Sequence, residues 1–373
     1  MTPFAFILHP ISAKDVARKY RFARVLPDRV VEAVISHVPA QEISRITGVQ
    51  SPTGARTEGW FVGCTLTTRQ FISGKERKSL AKVIESAQLA QELGAKIVGL
   101  GAFTAVVGDG GQQVADALEI GVTTGNSYTV ATAVEGALRG AEVMGIETGE
   151  ATAAILGATG SIGRVCAHLL ADHVERIVLV GRRKDGLVEV ARELADAPAQ
   201  VEISLSPGES LPQAQLVVAV TSALDAIIEP EMLRPGAVVC DVARPRDVSV
   251  RVAEERDDVL VIEGGAVNVP GEAVDFNFNF GFPEKTAYAC MAETMILALE
   301  GRTEDYSLGK RLDLERVREI STLADKHGFR LAGFRSFERT VTDETIDRIR
   351  TRAIEHGASL GDARPIDGRV QNG

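Results

Sequence analysis

The sequence predicts an α/β protein organised around a dinucleotide-binding βαβ unit, and three observations carry that prediction. Residues 151–183 read as strand, glycine turn, helix and second strand, in the length such a unit requires. The turn, Gly157-Ala158-Thr159-Gly160-Ser161-Ile162-Gly163, sets its glycines as GxxGxxG directly behind the apolar run 153–156. Downstream, a helical pattern at 187–195 is followed by apolar runs of strand length at 201–205, 215–220, 237–241 and 259–262, the pattern of a wound sheet.

Each part of the unit has a physical job. The run 153–156 does not alternate and suits a strand buried on both faces. Gly157 makes the tight turn, Gly160 lets backbone approach a pyrophosphate, and Gly163 permits close packing of helix on strand. The helix over 162–170 then turns free N–H groups near Ser161 toward phosphate oxygens, with Ala158, Thr159 and Ile162 completing the loop. The second strand, 177–180, ends in Gly181-Arg182-Arg183, where an NAD enzyme offers a carboxylate to the ribose hydroxyls. Two guanidiniums suit a 2′-phosphate instead, so the expected cofactor is NADPH, held by the loop with Arg182 and Arg183. At later strand ends Thr221, Ser222, Asp241, Val242, Gly264 and Gly265 are cofactor-edge candidates by position, although turn chemistry accounts for each singly.

With 373 residues the chain is expected to form two domains, and 45% hydrophobic with 25% charged residues is an ordinary soluble composition. No apolar run is long enough to cross a membrane and the N-terminus gathers charge too early for a secretory signal, so the expected location is cytoplasmic. A net charge of −10 argues against non-specific nucleic-acid binding. Cys64, Cys166, Cys240 and Cys290 show neither CxxC spacing nor nearby histidine pairs, so no metal site and no disulfide framework is expected.

Ahead of the nucleotide unit, residues 1–60 carry short apolar runs at 4–8 and 30–35, broken by prolines, with no assignable motif. Residues 59–64 read as a strand, 74–93 as a helix stopped by Gly94, and 97–100 as a buried strand. That strand leads into Gly101-Ala102-Phe103-Thr104 and the flexible loop Gly108-Asp109-Gly110-Gly111. Residues 121–129 are dense in hydroxyls and amides and precede a helix over 130–144; they read equally as a capping segment or as a ligand contact. Beyond the sheet, 275–283 alternates four of the chain's 13 phenylalanines with Asp, Asn and Gly. The alternation predicts one apolar face, serving either a substrate channel or a satellite core. A helix over 284–299, charged helices over 312–324 and 343–356, and a flexible tail at 362–373 complete the chain.

A nucleophilic cysteine needs thiolate character, from an electropositive neighbourhood or a helix N-terminus. Cys166 lies on the nucleotide helix and Cys240 inside a strand. Cys64 ends a strand before a Thr-rich turn, and Cys290 gains from a helix dipole only if its helix starts late, near Thr286. On the residues alone a buried structural cysteine accounts for any of the four.

The ordered motifs LGAFTAVVGDGG (100–111), TTGNSYT (123–129), GATGSIGRVCAHLL (157–170) and EKTAYACMAETMILALEG (284–301) resemble the long-chain acyl-(acyl-carrier-protein) reductases of cyanobacteria, over about 4–337. The larger arrangement is similar to the shikimate dehydrogenase-like superfamily. That resemblance implies an N-terminal α/β substrate domain at 1–147, a Rossmann NADPH-binding domain at 148–283, and C-terminal helices from about 284–361 packing back on the first domain. It also implies reduction of a fatty acyl thioester to a fatty aldehyde through an acyl-cysteine. The family cysteine lies in an ACxAExM context, which Ala289-Cys290-Met291-Ala292-Glu293-Thr294-Met295 matches, and this makes Cys290 the expected nucleophile. The chain departs from the family pattern around 65–74 and 275–283, and it extends past 337.

With Cys290 catalytic, Asn126 and Ser127, together with Thr124, are the candidate donors to the oxyanion. The expected substrate partner is an acyl carrier protein or coenzyme A thioester. The basic cluster Arg69, Lys75, Arg77, Lys78 and Lys82 is either its dock or a solvated helix face. Peripheral contact with a membrane or with a downstream aldehyde-consuming enzyme is a further expectation. Two other classes stay open: a non-covalent NADP-dependent dehydrogenase of a small carbonyl or imine, in which Cys290 is structural, and a nonenzymatic NADPH-binding sensor.

Overall fold

The computed structural model describes residues 1–19, 23, 25–223, 225–243 and 245–363. They form two compact α/β units, Met1–Tyr128 with Val267–Arg330, and Thr129–Ala266 with the residues after Arg330.

The first unit is built on a five-stranded sheet in the order β2-β3-β1-β4-β5. Its strands are β1 (Phe4–Leu8), β2 (Gln41–Gln50), β3 (Arg56–Gly63), β4 (Ile97–Gly99) and β5 (Gly121–Thr123). Strands β3, β1, β4 and β5 run parallel, and β2 closes one edge antiparallel to β3. Helix α1 (Glu76–Glu92) buries Val83, Ala87 and Ala90 against Ala5, Ile7, Val62 and Val98 of the sheet. Two helices lie across Asn126–Met144 (α2) and Ser161–Leu170 (α3), and α2 carries the chain from the first unit into the second.

The second unit is a six-stranded parallel sheet in the order β11-β10-β9-β6-β7-β8. Its strands are β6 (Thr152–Leu156), β7 (Arg176–Val180), β8 (Gln200–Ser204), β9 (Leu216–Ala219), β10 (Val238–Asp241) and β11 (Leu260–Glu263). The sheet grows outward from β6 in both directions, which is the doubly wound Rossmann order. Its switch point falls between β6 and β9, where such folds place their ligands. Every residue of β6 is buried, as its unbroken apolar run requires.

In the late part of the chain, α4 (Ala289–Leu299) and α5 (Leu314–His327) complete the first unit, with α4 packed on β1, β3 and β4. Residues up to 361 were assigned to the first domain from sequence, but α6 (Asp343–Glu355) sits with the second unit. Specific contacts hold it there: Arg350 donates to the carbonyl of Val143, His356 pairs with Asp258, and the Gly361 N–H donates to Gly145. The unit boundaries fall after Tyr128 and Ala266, whereas the sequence placed them near 147 and 283. Of the tail expected at 362–373, all beyond 363 lies outside the described residues.

One local expectation is corrected. The helix carrying Cys290 starts at Ala289, because residues 286–288 are extended and Lys285 holds a left-handed φ of 57°. Residues 275–283 run through bends, with Phe276 buried and Phe278, Phe280 and Phe282 half-buried between exposed Asp275, Asn277, Asn279 and Gly281. Asp275 accepts from the Asn277 N–H at 2.7 Å and Asn279 from the Gly281 N–H at 2.8 Å, two Asx-turns that bend the segment. Among the described residues no helix is long and apolar enough to cross a membrane.

Candidate active site and cofactor cradle

In the second unit the glycine loop takes the form a dinucleotide needs. Gly157 has φ 83°, and a β-carbon there would stand 2.9 Å from the carbonyl oxygen of Val220, at the end of β9. A β-carbon on Gly163 would overlap the carbonyl of Gly157, so helix and turn meet only through hydrogen. Helix α3 begins after Gly160 with no side-chain cap, leaving the first-turn N–H groups of Ser161, Ile162 and Gly163 for an anion. Thr159 packs beside Gly181 and Gly186, which brings the loop next to the end of β7. There Arg182 and Arg183 are exposed, and neither side chain has a hydrogen-bond or ion-pair partner among the described residues.

Thr221 and Ser222 follow β9 across the switch point. The Thr221 hydroxyl and N–H both donate to Asp247, at 2.5 and 2.9 Å, while Ser222 is exposed. Burial pushes the Asp247 carboxyl up, against the pull of these two donors. Asp241 is buried and accepts from the N–H groups of Ala243 and Val248, so it pins the loop after β10. Gly264 packs against Val242 and Cys240, and Gly265 takes φ 84°, a turn position.

The first unit gathers its chemistry at the carboxyl ends of its parallel strands. Cys290 is the second residue of α4, inside the first turn, and it is the one cysteine of the four that is not buried. A β-carbon on Gly101, just past β4, would stand 3.7 Å from its Sγ. Gly125, just past β5, has φ 73° and lies directly against the Cys290 backbone and Cβ. Tyr288 precedes the helix as its N-cap and makes no side-chain cap, so no side chain of its own covers the first N–H groups near Cys290. By contrast, burial pushes the thiols of Cys64 and Cys166 up to about 12. Cys240 is buried and donates to the Ala133 carbonyl.

Asn126 opens α2 beside Gly125, half-buried, with no hydrogen-bond partner for its amide among the described residues. Ser127 is fully buried, and its hydroxyl accepts from Ser307 at 2.6 Å. Thr124 donates to the Ser307 carbonyl. Of the three expected donors, Asn126 alone is without a side-chain hydrogen-bond partner among the described residues, while Ser127 and Thr124 bind the turn to residue 307.

Three residues here escaped the sequence reading. Glu293 is fully buried; one oxygen accepts from the Thr123 hydroxyl at 2.5 Å and the other from the Tyr128 N–H at 2.7 Å. Burial raises its carboxyl above the ordinary range, opposed by these donors. The available signal was a lone carboxylate in the otherwise apolar helix ACMAETMILAL. His9, just past β1, accepts at Nε2 from the Phe103 N–H and holds the Pro10 carbonyl at Nδ1, between the rings of Phe71 and Phe103. Burial drives it down to about 4, so it is neutral with both nitrogens engaged. Ala102, between Gly101 and Phe103, holds φ 49°, a strained value for a residue with a side chain.

The phenylalanine-rich turns form a continuous aromatic run. Phe61 touches Phe276 and Phe280, Phe280 touches Phe282, and Phe282 packs on Tyr288 with centroids 4.4 Å apart. The run ends at the residue that starts the Cys290 helix. Within the basic cluster, Arg69 is tied to Glu32, and Lys82 to Glu85 and the Val38 carbonyl. Lys75, Arg77 and Lys78 are exposed at the start of α1 without a side-chain partner among the described residues. Asp257, Asp258 and His356 bring ligand atoms within 4.8 Å of one another, but Arg256 and Arg352 already pair with the two aspartates.

The six-stranded parallel sheet and its glycine cradle are those of the Rossmann class of dinucleotide-binding folds. Residues 141–263 match the family model described as shikimate / quinate 5-dehydrogenase. The chain is 32% identical over 368 residues to the aminotransferase PigE of Serratia sp., covering 93% of this chain and 41% of PigE, so it spans less than half of that relative. It is 29% identical over 335 residues to the long-chain acyl-(acyl-carrier-protein) reductase of Synechococcus elongatus, covering 85% of this chain and 94% of the reductase. Among solved structures, L-tryptophan dehydrogenase from Nostoc punctiforme is similar with a TM-score of 0.38 and 12% identity, covering 95% of this chain and 89% of that one.

Proposed function

We propose that this chain reduces an acyl thioester to an aldehyde with NADPH, through an acyl-cysteine on Cys290. The observation that carries the reading is the placement of Cys290: an accessible thiol in the first turn of an uncapped helix, between Gly101 and Gly125 at the strand ends. The similarity to a long-chain acyl-(acyl-carrier-protein) reductase over 94% of that protein supports the same chemistry.

The Cys290 thiolate attacks the thioester carbonyl carbon, the bond to the carrier sulfur breaks, and the carrier leaves as a thiol after taking a proton. The first-turn N–H groups of α4, which no side chain caps, and the Asn126 amide would receive the negative charge on the carbonyl oxygen. Residues 157–163, with Arg182 and Arg183 toward the 2′-phosphate, would hold NADPH, which when bound supplies the hydride. The aldehyde departs as the Cys290 thiolate reforms. The half-buried rings of Phe280, Phe282 and Tyr288, backed by buried Phe61 and Phe276, offer an apolar wall to an acyl chain. Lys75, Arg77 and Lys78 offer positive charge to an acidic carrier protein or to the phosphates of coenzyme A.

Intact-protein mass after mixing with a long-chain acyl-coenzyme A, without NADPH, tests the reading. An acyl adduct on the native chain, absent from Cys290→Ala and discharged as NADPH is oxidised, supports it. No adduct from coenzyme A or carrier-protein thioesters, with NADPH still bound, overturns it and leaves a direct carbonyl or imine reductase.

A further inference from the structure

We infer that Glu293 is a positioning residue for Cys290: it caps helix α2 from a different helix and clamps the Gly125 turn against the nucleophile. The inference rests on Cys290 being the nucleophile.

Helix α2 begins at Asn126, so the residue before it is Gly125, which has no side chain with which to cap the first N–H groups. Glu293 supplies the missing acceptor from one turn beyond Cys290 on α4. Its Oε2 takes the Tyr128 N–H, the third residue of α2, at the position an N-cap oxygen normally reaches. Its Oε1 takes the Thr123 hydroxyl, the last residue of β5, and that same hydroxyl accepts from the Gly125 N–H at 3.3 Å. The carboxylate therefore holds both sides of the Thr124-Gly125 turn.

The clamp matters because of what the turn touches. Gly125 lies against the Cα and Cβ of Cys290 with no room for a methyl group. Nucleophile and clamp stand three residues apart on one helix, so the Glu293 bonds tie the turn to the element that carries the thiol, whereas Thr124 and Ser127 tie it to residue 307. Every other residue of α4 from Met291 onward is buried. A fully buried carboxylate in such a helix is costly unless its hydrogen bonds serve a purpose, and here they fix the active-site turn.

The test is the rate at which iodoacetamide alkylates Cys290, followed by intact mass with peptide mapping, beside the rate of acyl transfer from acyl-coenzyme A. Glu293→Ala is expected to slow both by about tenfold or more per folded molecule, the scale of a lost charge-assisted hydrogen bond. Glu293→Gln keeps an oxygen for the Tyr128 N–H and is expected to recover both rates to within about threefold of native. If Glu293→Ala fails to fold, Thr123→Val removes the Oε1 arm alone and is expected to slow both reactions by about threefold or more. A lowered melting temperature in these variants with an unchanged alkylation rate overturns the inference and leaves Glu293 as packing. Alkylation that depends on Glu293 in a protein that takes no acyl adduct upholds the clamp and rejects thioester reduction, which separates the two readings.

Discussion

Gly125 and Cys290 are in backbone contact: a β-carbon on Gly125 would overlap both the Cα and the Cβ of the cysteine. Its φ of 73° adds a conformational reason for glycine to the steric one. Gly125→Ala must therefore displace either the turn or the first turn of α4. We expect this variant to lose about 2–4 kcal/mol of stability, combining left-handed strain with overpacking, and to lose acyl transfer at Cys290 by about 100-fold or more in the folded fraction. Denaturant melts beside adduct formation by mass check both; a fully active Gly125→Ala would place the reaction elsewhere.

The four thiols should separate cleanly by reactivity. Cys64 and Cys166 hold thiols raised to about 12 by burial, so at neutral pH they are neither exposed nor ionised. Iodoacetamide on the native chain at pH 7.5 should therefore label Cys290 first, by about tenfold or more over the others. The same shifts predict alkaline sensitivity. A thiol protonated when folded but of ordinary pKa when unfolded contributes stability that is intact below about 9 and is lost as pH rises toward 12. Melting temperature between pH 8 and 11 should fall more steeply in the native chain than in Cys64→Ala.

The Rossmann half was legible because its signals are local. An unbroken apolar strand, glycines at fixed offsets and a following amphipathic helix constrain one another within 151–183. The first unit was harder to read. Its edge strand β2 alternates buried and exposed residues irregularly, with register shifts near Ser44 and Val49, so QEISRITGVQ carries no clean period. At the site, Cys290 could be named only through a family motif. Glu293 was invisible, since its partners Thr123 and Tyr128 lie more than 160 positions away. The alternation at 275–283 was legible as apolar against polar residues, but its backbone was not, because it bends through Asx-turns at Asp275 and Asn279. Late starts such as that of α4 at Ala289 are set by backbone left-handed at Lys285, a feature composition does not record.

Glu300 gives the first unit an acid-sensitive joint. His327, 2% exposed, joins Ser51 at Nδ1 to Glu300 at Nε2 by contacts of 2.9 and 2.6 Å, and Lys326 pairs with the same carboxylate. Burial works against the charged form, yet these partners hold Glu300 below its ordinary value. A depressed carboxyl contributes stability that is present above the unfolded value near 4.5 and is lost as pH falls through the folded value. Glu300→Gln should cost about 1–2 kcal/mol at pH 7, and the gap from native should close by pH 3. A gap that does not change with pH would show packing rather than charge.

Arg182 and Arg183 set the last expectation, the choice of cofactor. Both stand exposed beyond β7 with no protein partner among the described residues, where a carboxylate would otherwise meet ribose hydroxyls. Their charge is uncommitted within the unit, as suits a 2′-phosphate that arrives with the ligand. Arg182→Ala should raise the dissociation constant for NADPH by about 10-fold and leave that for NADH within about twofold, because only the phosphate loses a charge-assisted bond. Arg182→Asp with Arg183→Ser should reverse the preference, the new carboxylate repelling the phosphate and accepting from the hydroxyls. Fluorescence titration with both nucleotides measures this directly. Equal weakening toward NADPH and NADH would assign the arginines to the shared pyrophosphate, and no change in either would leave them as solvated surface.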